Sequence, residues 1–183
     1  MATQASAAEL IAALGRVDGK AEVVDGEILL ISPAGYAHNR AAGTIYVSLR
    51  QYERESRRGR ALSDNAGFVV DLPHRKAFSP DAAFYVGSPP GPGFLQGAPT
   101  LAVEVRSPDD YGPVAEKAMV AKRADYFAAG TAVVWDVDVL RDAWIAVYRA
   151  AAPDRPTIYR RGEHAEAEPG LPGWSFPVDE LFE

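Results

Sequence analysis

Residues 6–15 space their apolar side chains at helical intervals and predict a short amphipathic helix. Two β-rich runs, 21–24 and 27–31, flank Asp25-Gly26, the dipeptide signal of a two-residue hairpin turn. From about 38 to 57 the helical period returns, with Ile45, Leu49 and Tyr52 on one side. Strands are predicted at about 61–64, 67–71 and 81–86. Residues 87–99 (GSPPGPGFLQGAP) hold four glycines and four prolines and predict a loop without regular structure, long enough to suggest a functional role. Further strands are expected at 101–105, 133–137 and 144–148, with a helix over 113–129 closed by Gly130. Short strand-like pieces near 157–160 and 174–177 precede an apolar turn at 178–182. No internal repeat or linker interrupts this order, so one mixed α/β domain over residues 1–183 is expected.

Composition narrows the chemistry. With 183 residues, 48% of them hydrophobic and 24% charged, the chain can build a core without staples. It has no cysteine, which removes disulfide frameworks, zinc ribbons, thiol nucleophiles and iron–sulfur ligation together. Its three histidines (His38, His74 and His164) are too scattered for a zinc-protease motif. No apolar run reaches the roughly 18–20 residues that span a bilayer, and the first residues lack a basic stretch and carry Glu9. A cytoplasmic protein with no membrane partner is the expectation. The net charge of -6 weighs against coating nucleic acid by charge alone, yet leaves room for a local basic groove. Only four lysines occur (Lys20, Lys76, Lys117 and Lys122), so each one's placement carries information.

Three residues break the hydrophobic pattern. In the run Leu101–Val105, alternation sets Leu101, Val103 and Val105 on one face and Ala102, Glu104 and Arg106 on the other. A glutamate buried there needs a partner such as arginine or a metal; otherwise its face is in solvent. Asp81 follows Pro80 at the head of a strand, where it reads either as a turn residue or as one of two carboxylates on neighbouring strands. Such a pair supplies the oxygen ligands that Mg²⁺ prefers. Lys122 lies within an apolar stripe of its helix, near Ala118, Met119, Tyr126 and Ala129, and a second stripe (Val120, Ala124 and Phe127) runs down the far side. A helix apolar on two sides should be covered on both, so Lys122 either points into a groove or snorkels to water.

These pieces, in order, resemble the Uma-type family of bacterial restriction endonucleases within the PD-(D/E)XK nuclease superfamily. The resemblance rests on VDGE at 24–27, Ser32-Pro33, His38, Ser79-Pro80-Asp81 and APTLAVEVRSP at 98–108. It continues through KRADYFAAG at 122–130, VVWDVD at 133–138, LPGW at 171–174 and Leu181-Phe182. It implies a restriction-endonuclease-like central mixed β-sheet flanked by helices, with an N-terminal β-hairpin. It also implies a metal-dependent DNA endonuclease using Mg²⁺, with Mn²⁺ as a substitute. Asp81 and Glu104 match the two acids, and Glu27 matches a further acid that completes the metal shell. The superfamily lysine usually stands two residues after the second acid, where this chain has Arg106. Lys122 matches the lysine moved onto the following helix. His38 matches a recurrent histidine, for which a helix-start hydrogen bond is expected, and Tyr126 and Arg106 are accessory candidates.

A phosphodiester resists attack because it is anionic and its leaving alkoxide is poor. A cation held by two carboxylates answers both problems. A lysine can orient water or stabilise charge, whereas a guanidinium is a poor proton acceptor, which favours Lys122 over Arg106. Arg50, Arg54, Arg57 and Arg58 recur at helical spacing and are candidates for DNA phosphate contacts, or else a solvated helix end suited to the dipole. Two other functions fit the same residues: a catalytically silent relative that binds nucleic acid or protein, and a phosphoesterase acting on small nucleotides. A homodimer suits cutting both strands of a duplex.

Overall fold

The computed structural model describes residues 5–183, so the first four residues of the expected domain lie outside it. Capping sets the first helix. Ser6 accepts the Glu9 backbone N–H while the Glu9 carboxylate takes the Ser6 N–H at 2.7 Å, and this reciprocal box opens α1 (Ala7–Leu14). Asp25 and Gly26 both adopt positive φ (50° and 79°), the turn geometry that pairs β1 (Lys20–Val24) with β2 (Glu27–Ile31) without splaying them. α2 (Tyr36–Ser56) ends where Arg57 turns left-handed. There follow β3 (Arg60–Leu62), β4 (Phe68–Val69), β5 (Arg75–Phe78), β6 (Ala82–Tyr85), β7 (Leu95–Gln96) and β8 (Leu101–Val105). α3 (Pro113–Ala128) opens on a proline, whose missing N–H costs nothing in a first turn. The chain then runs through β9 (Val133–Asp138), β10 (Trp144–Arg149), β11 (Ala152–Arg160), β12 (His164–Glu166) and β13 (Ser175–Pro177) to a 3₁₀ turn, Val178–Phe182.

The larger sheet has the order β11-β10-β9-β8-β6-β3 and is mixed: β8 and β9 are parallel, while its other pairs are antiparallel. A second sheet, β2-β1-β5-β4-β7, carries the N-terminal hairpin through β1–β5 pairing. On one face of the larger sheet Leu101, Val103, Val105, Trp135 and Val137 pack under Ala41, Ile45 and Leu49 of α2, with Trp174 and Phe176 closing the layer. The other face presents Ala83, Ala102 and Val134 to Tyr126 of α3 and to Phe68 and Phe78 of the second sheet. The alternation expected in β8 is thus realised on two cores at once.

Several elements differ from expectation. The loop at 87–99 contains a short strand, β7, paired with β4. β5 is an unanticipated strand because Arg75 and Lys76 mask its pattern; the Arg75 charge is buried against carboxylates. β12 is likewise additional, and β11 is longer than expected. β11 is an edge strand, where Pro153 and Pro156 are tolerated. On α3 the second apolar stripe is not covered throughout, since Val120 is exposed.

Candidate active site

β6 and β8 part at Asp81, and that parting builds the site. Ala82 is the last residue of β6 to pair, opposite Val103, and the Asp81 N–H still bonds to the Val103 carbonyl at 3.0 Å. Beyond this point the Val105 N–H faces away from β9 with no strand opposite it. The Asp81 carboxylate takes that N–H, Oδ2 accepting at 2.7 Å. Asp81 is therefore fixed by the sheet itself and is not a turn residue.

Glu104 projects beside it from β8. Its Oε1 accepts the Tyr126 hydroxyl at 2.6 Å, and its Oε2 accepts from Lys122 Nζ at 2.8 Å. Tyr126 is held by stacking on Phe78, with ring centroids 4.0 Å apart. Lys122 thus reaches into the groove and does not snorkel to water. Asp81, Glu104 and Lys122 meet in one open cleft of about 620 Å³, whose lining also includes Lys20, His38 and Asp64. The segment 107–110 forms part of its wall. Tyr111 anchors that segment by donating its hydroxyl to Asp138 at 2.6 Å.

Several residues of the cleft and its backing are not among those singled out in the sequence as site residues. Lys20 Nζ lies 2.5 Å from Asp81 Oδ1 and 2.7 Å from Asp64 Oδ1. Glu22 Oε1 lies 3.0 Å from Lys122 Nζ and also accepts the Ser79 N–H, while its Oε2 accepts from Arg75 at 2.6 Å. Arg75 is held in turn by Asp125 at 2.7 Å. Glu22 carries the same signal that singled out Glu104, a carboxylate inside an apolar strand, here Ala21–Val24. Lys20 is marked by the scarcity of lysines.

The expected residues fare unequally. Glu27 ends the hairpin turn opposite Val24, is exposed and does not line the cleft. Placement on β2, across from the buried β1, turns it to solvent, and Glu22 is the acid that stands by the lysine. His38 is not a helix-start cap; its Nε2 faces Asp81 Oδ2 at 3.2 Å, and its Nδ1 is buried without a partner. Arg106 turns away from the cleft into ion pairs with Asp136 and Glu116, which corrects its accessory role. The arginine cluster also lies elsewhere. His38 is in the first turn of α2 and Arg54 in its last, about 24 Å apart at 1.5 Å per residue. Arg50 is paired with Glu53 at 2.5 Å.

Charge in the cleft is arranged asymmetrically. Burial raises the Asp81 pKa, but the His38 hydrogen bond and the Lys20 charge outweigh it, so its carboxyl titrates below the ordinary range. Glu104 moves the other way. Burial raises its pKa, and the neighbouring Asp81 and Glu22 charges add to this against the pull of Lys122. Burial opposes the charge on Lys122, yet Glu104 and Glu22 together hold it protonated well above its ordinary value.

Among the described residues, no group of three or more histidines and carboxylates is arranged to hold a metal ion. Two carboxylates where the strands part, lining one open cleft, nevertheless match a hard divalent cation, which takes few carboxylates and keeps several waters. Burial is the main reason the Glu104 pKa is raised, and a bound cation would favour its charged form. The all-oxygen donor chemistry fits a hard divalent cation.

Comparison with known proteins agrees with this architecture. No curated protein matches the sequence. Among solved structures, the chain is similar to a "putative nuclease belonging to DUF820" from Anabaena variabilis ATCC 29413. The TM-score is 0.73 at 14% identity, over 94% of this chain and 96% of that one. At that identity the likeness shows the fold alone, a restriction-endonuclease-like mixed sheet flanked by helices. No helix among the described residues is long and apolar enough to cross a membrane. A family model described as "Putative restriction endonuclease" matches residues 8–179, and the chain belongs to that family, Uma2.

Proposed function

We propose that the chain is a divalent-metal-dependent DNA endonuclease whose working residues are Asp81, Glu104 and Lys122. The observation that carries this reading is their convergence: a strand end, a central strand and a helix bring two acids and a lysine to one open cleft. Asp81 and Glu104 would hold the Mg²⁺, with Mn²⁺ able to replace it. Once bound, a divalent cation supplies charge neutralisation at the phosphoryl oxygens and a lowered pKa for water.

The chain's own groups do the rest. Val105 and Tyr126 fix the two carboxylates, so little reorganisation is needed when substrate arrives. Lys122, held protonated between Glu22 and Glu104, is a fixed positive charge beside the acids and stabilises negative charge developing on the phosphate. Because both strands of a duplex must be cut, a twofold homodimer suits the activity, and sedimentation equilibrium measures it.

The test is cleavage of plasmid, oligonucleotide and mononucleotide substrates with Mg²⁺, Mn²⁺ or EDTA, using wild type, Asp81→Asn and Lys122→Met. The expected result is metal-dependent cutting of the polymers, lost in both variants. Hydrolysis of mononucleotides alone would make the protein a small-nucleotide phosphoesterase. No cutting, with no Mn²⁺ binding by calorimetry, would make it a silent binding relative. The pairing of each acid with a lysine gives that last reading its support.

A further inference from the structure

Both oxygens of Asp81 are engaged, but unequally. Oδ2 is fastened to the sheet by the Val105 N–H and flanked by His38. Oδ1 meets the Lys20 ammonium at 2.5 Å. The same ammonium is 2.7 Å from Asp64 Oδ1, so Lys20 bridges two acids across the cleft. The bridge is lopsided in mobility. Asp81 is buried in the sheet, whereas the Asp64 side chain, beyond the end of β3, is 35% exposed.

A divalent cation that reaches Asp81 and Glu104 must approach through Oδ1, since Oδ2 already serves two partners. There its charge meets the Lys20 ammonium. Like charges sharing one oxygen in a partly buried site repel strongly, so the two cannot both keep it. Lysine carries its charge on a flexible four-carbon stem, and Asp64 already stands within hydrogen-bond reach to receive it.

We propose that Lys20 is a positioning residue that competes with the divalent cation for Asp81. On metal binding it shifts onto Asp64, where its charge faces the phosphates of nucleic acid entering the cleft. Only the phosphate contact rests on the nuclease reading; the competition for Asp81 does not depend on it. Lys20 then has two states: bridging Asp81 and Asp64 when the cation is absent, and held by Asp64 alone at the cleft wall when it is present. Asp64 acts through Lys20 and not on the cation directly.

The experiment is Mn²⁺ calorimetry on the full chain without DNA, for wild type, Lys20→Met, Asp64→Asn and the double variant. Lys20→Met is expected to bind Mn²⁺ about tenfold more tightly, the usual scale for a group adjoining a metal ligand. Asp64→Asn is expected to bind it several-fold more weakly, because the displaced ammonium has lost its acceptor. In the Lys20→Met background that weakening should vanish. An unchanged or weaker affinity in Lys20→Met overturns the proposal, as does an Asp64→Asn loss of equal size in both backgrounds. Lys20→Gln, which keeps a hydrogen-bond donor but no charge, replaces the methionine variant if that chain does not fold. DNA affinity measured with Ca²⁺ by fluorescence anisotropy should fall several-fold in Lys20→Met, and an unchanged value overturns the phosphate contact. If wild type neither binds nor cuts DNA, the nuclease reading fails, while the Mn²⁺ series still decides the role of Lys20.

Discussion

Arg106 grips Asp136 in a two-pronged ion pair across the parallel strands β8 and β9, Nε to Oδ1 at 2.8 Å and Nη2 to Oδ2 at 2.9 Å. Glu116 of α3 holds the same guanidinium, and the Trp144 ring lies 4.9 Å beneath it. Arg106→Met leaves a buried carboxylate whose remaining cation is Arg123 at 3.4 Å. The expected cost is about 3–5 kcal/mol in urea unfolding, the range for breaking a buried pair from one side. Mn²⁺ affinity should hardly move in the folded variant, because Arg106 touches neither Asp81 nor Glu104. A selective loss of metal binding with stability intact would return Arg106 to the active site.

Glu22 clamps Lys122 from the side opposite Glu104. Glu22→Gln keeps the size of the side chain and an acceptor for the Ser79 N–H, but loses the charge that orients the ammonium. Its turnover on DNA should fall on the order of 10–100-fold, with KM little changed. Glu27→Gln, on the exposed strand, should cut at the wild-type rate, and steady-state kinetics on both variants separates the two acids.

Tyr126 does two separable jobs. Tyr126→Phe retains the stack on Phe78 but removes the hydroxyl from Glu104, and should lose about 1.5–3 kcal/mol, the scale of a hydrogen bond to a charged group. Tyr126→Ala also opens a cavity between the two sheets, and about 3–5 kcal/mol is expected. Denaturant midpoints for the pair measure the difference.

Asp138 sets an acid limit on stability. Burial raises its pKa, but the Tyr111 hydroxyl and the backbone N–H groups of Asp142, Leu140 and Arg141 outweigh that and leave it below its ordinary value. A folded-state pKa lowered in this way stabilises the fold above the unfolded value of about 3.9 and stops doing so as pH falls through the folded value. Asp138→Asn should therefore be less stable than wild type at pH 7 by about 1.5–3 kcal/mol. The gap should close below about pH 4, as urea titrations at a series of pH values will show.

How much of this was legible in the sequence follows from where each signal is local. The Asp25-Gly26 turn, the α1 and α3 boundaries and the alternation of β8 are decided by neighbours in the chain, and they were readable. So were Asp81 and Glu104, which interrupt an apolar pattern, and Lys122, which interrupts a helical stripe. β5 was hidden because the charge of Arg75 is neutralised by partners from β1 and α3, which no local pattern records. Lys20 and Glu22 carry local signals, a scarce lysine and a carboxylate in an apolar strand, but their partners Asp81 and Lys122 are brought alongside only by the fold. The arginines of α2, read as DNA contacts or a solvated helix end, stand at the far end of the helix from His38, a separation that follows from the helix's length.

The ion pair between Glu22 and Lys122 joins positions about a hundred residues apart, from the first hairpin to the third helix. Turns of helix close over a few residues and form early, whereas a contact of that span must wait for the chain between to be gathered in. The clamp on Lys122 needs the hairpin and the third helix both in place. Recovery of Mn²⁺ binding during refolding is accordingly a stopwatch for that long-range closure, and it should lag behind the return of helical circular dichroism.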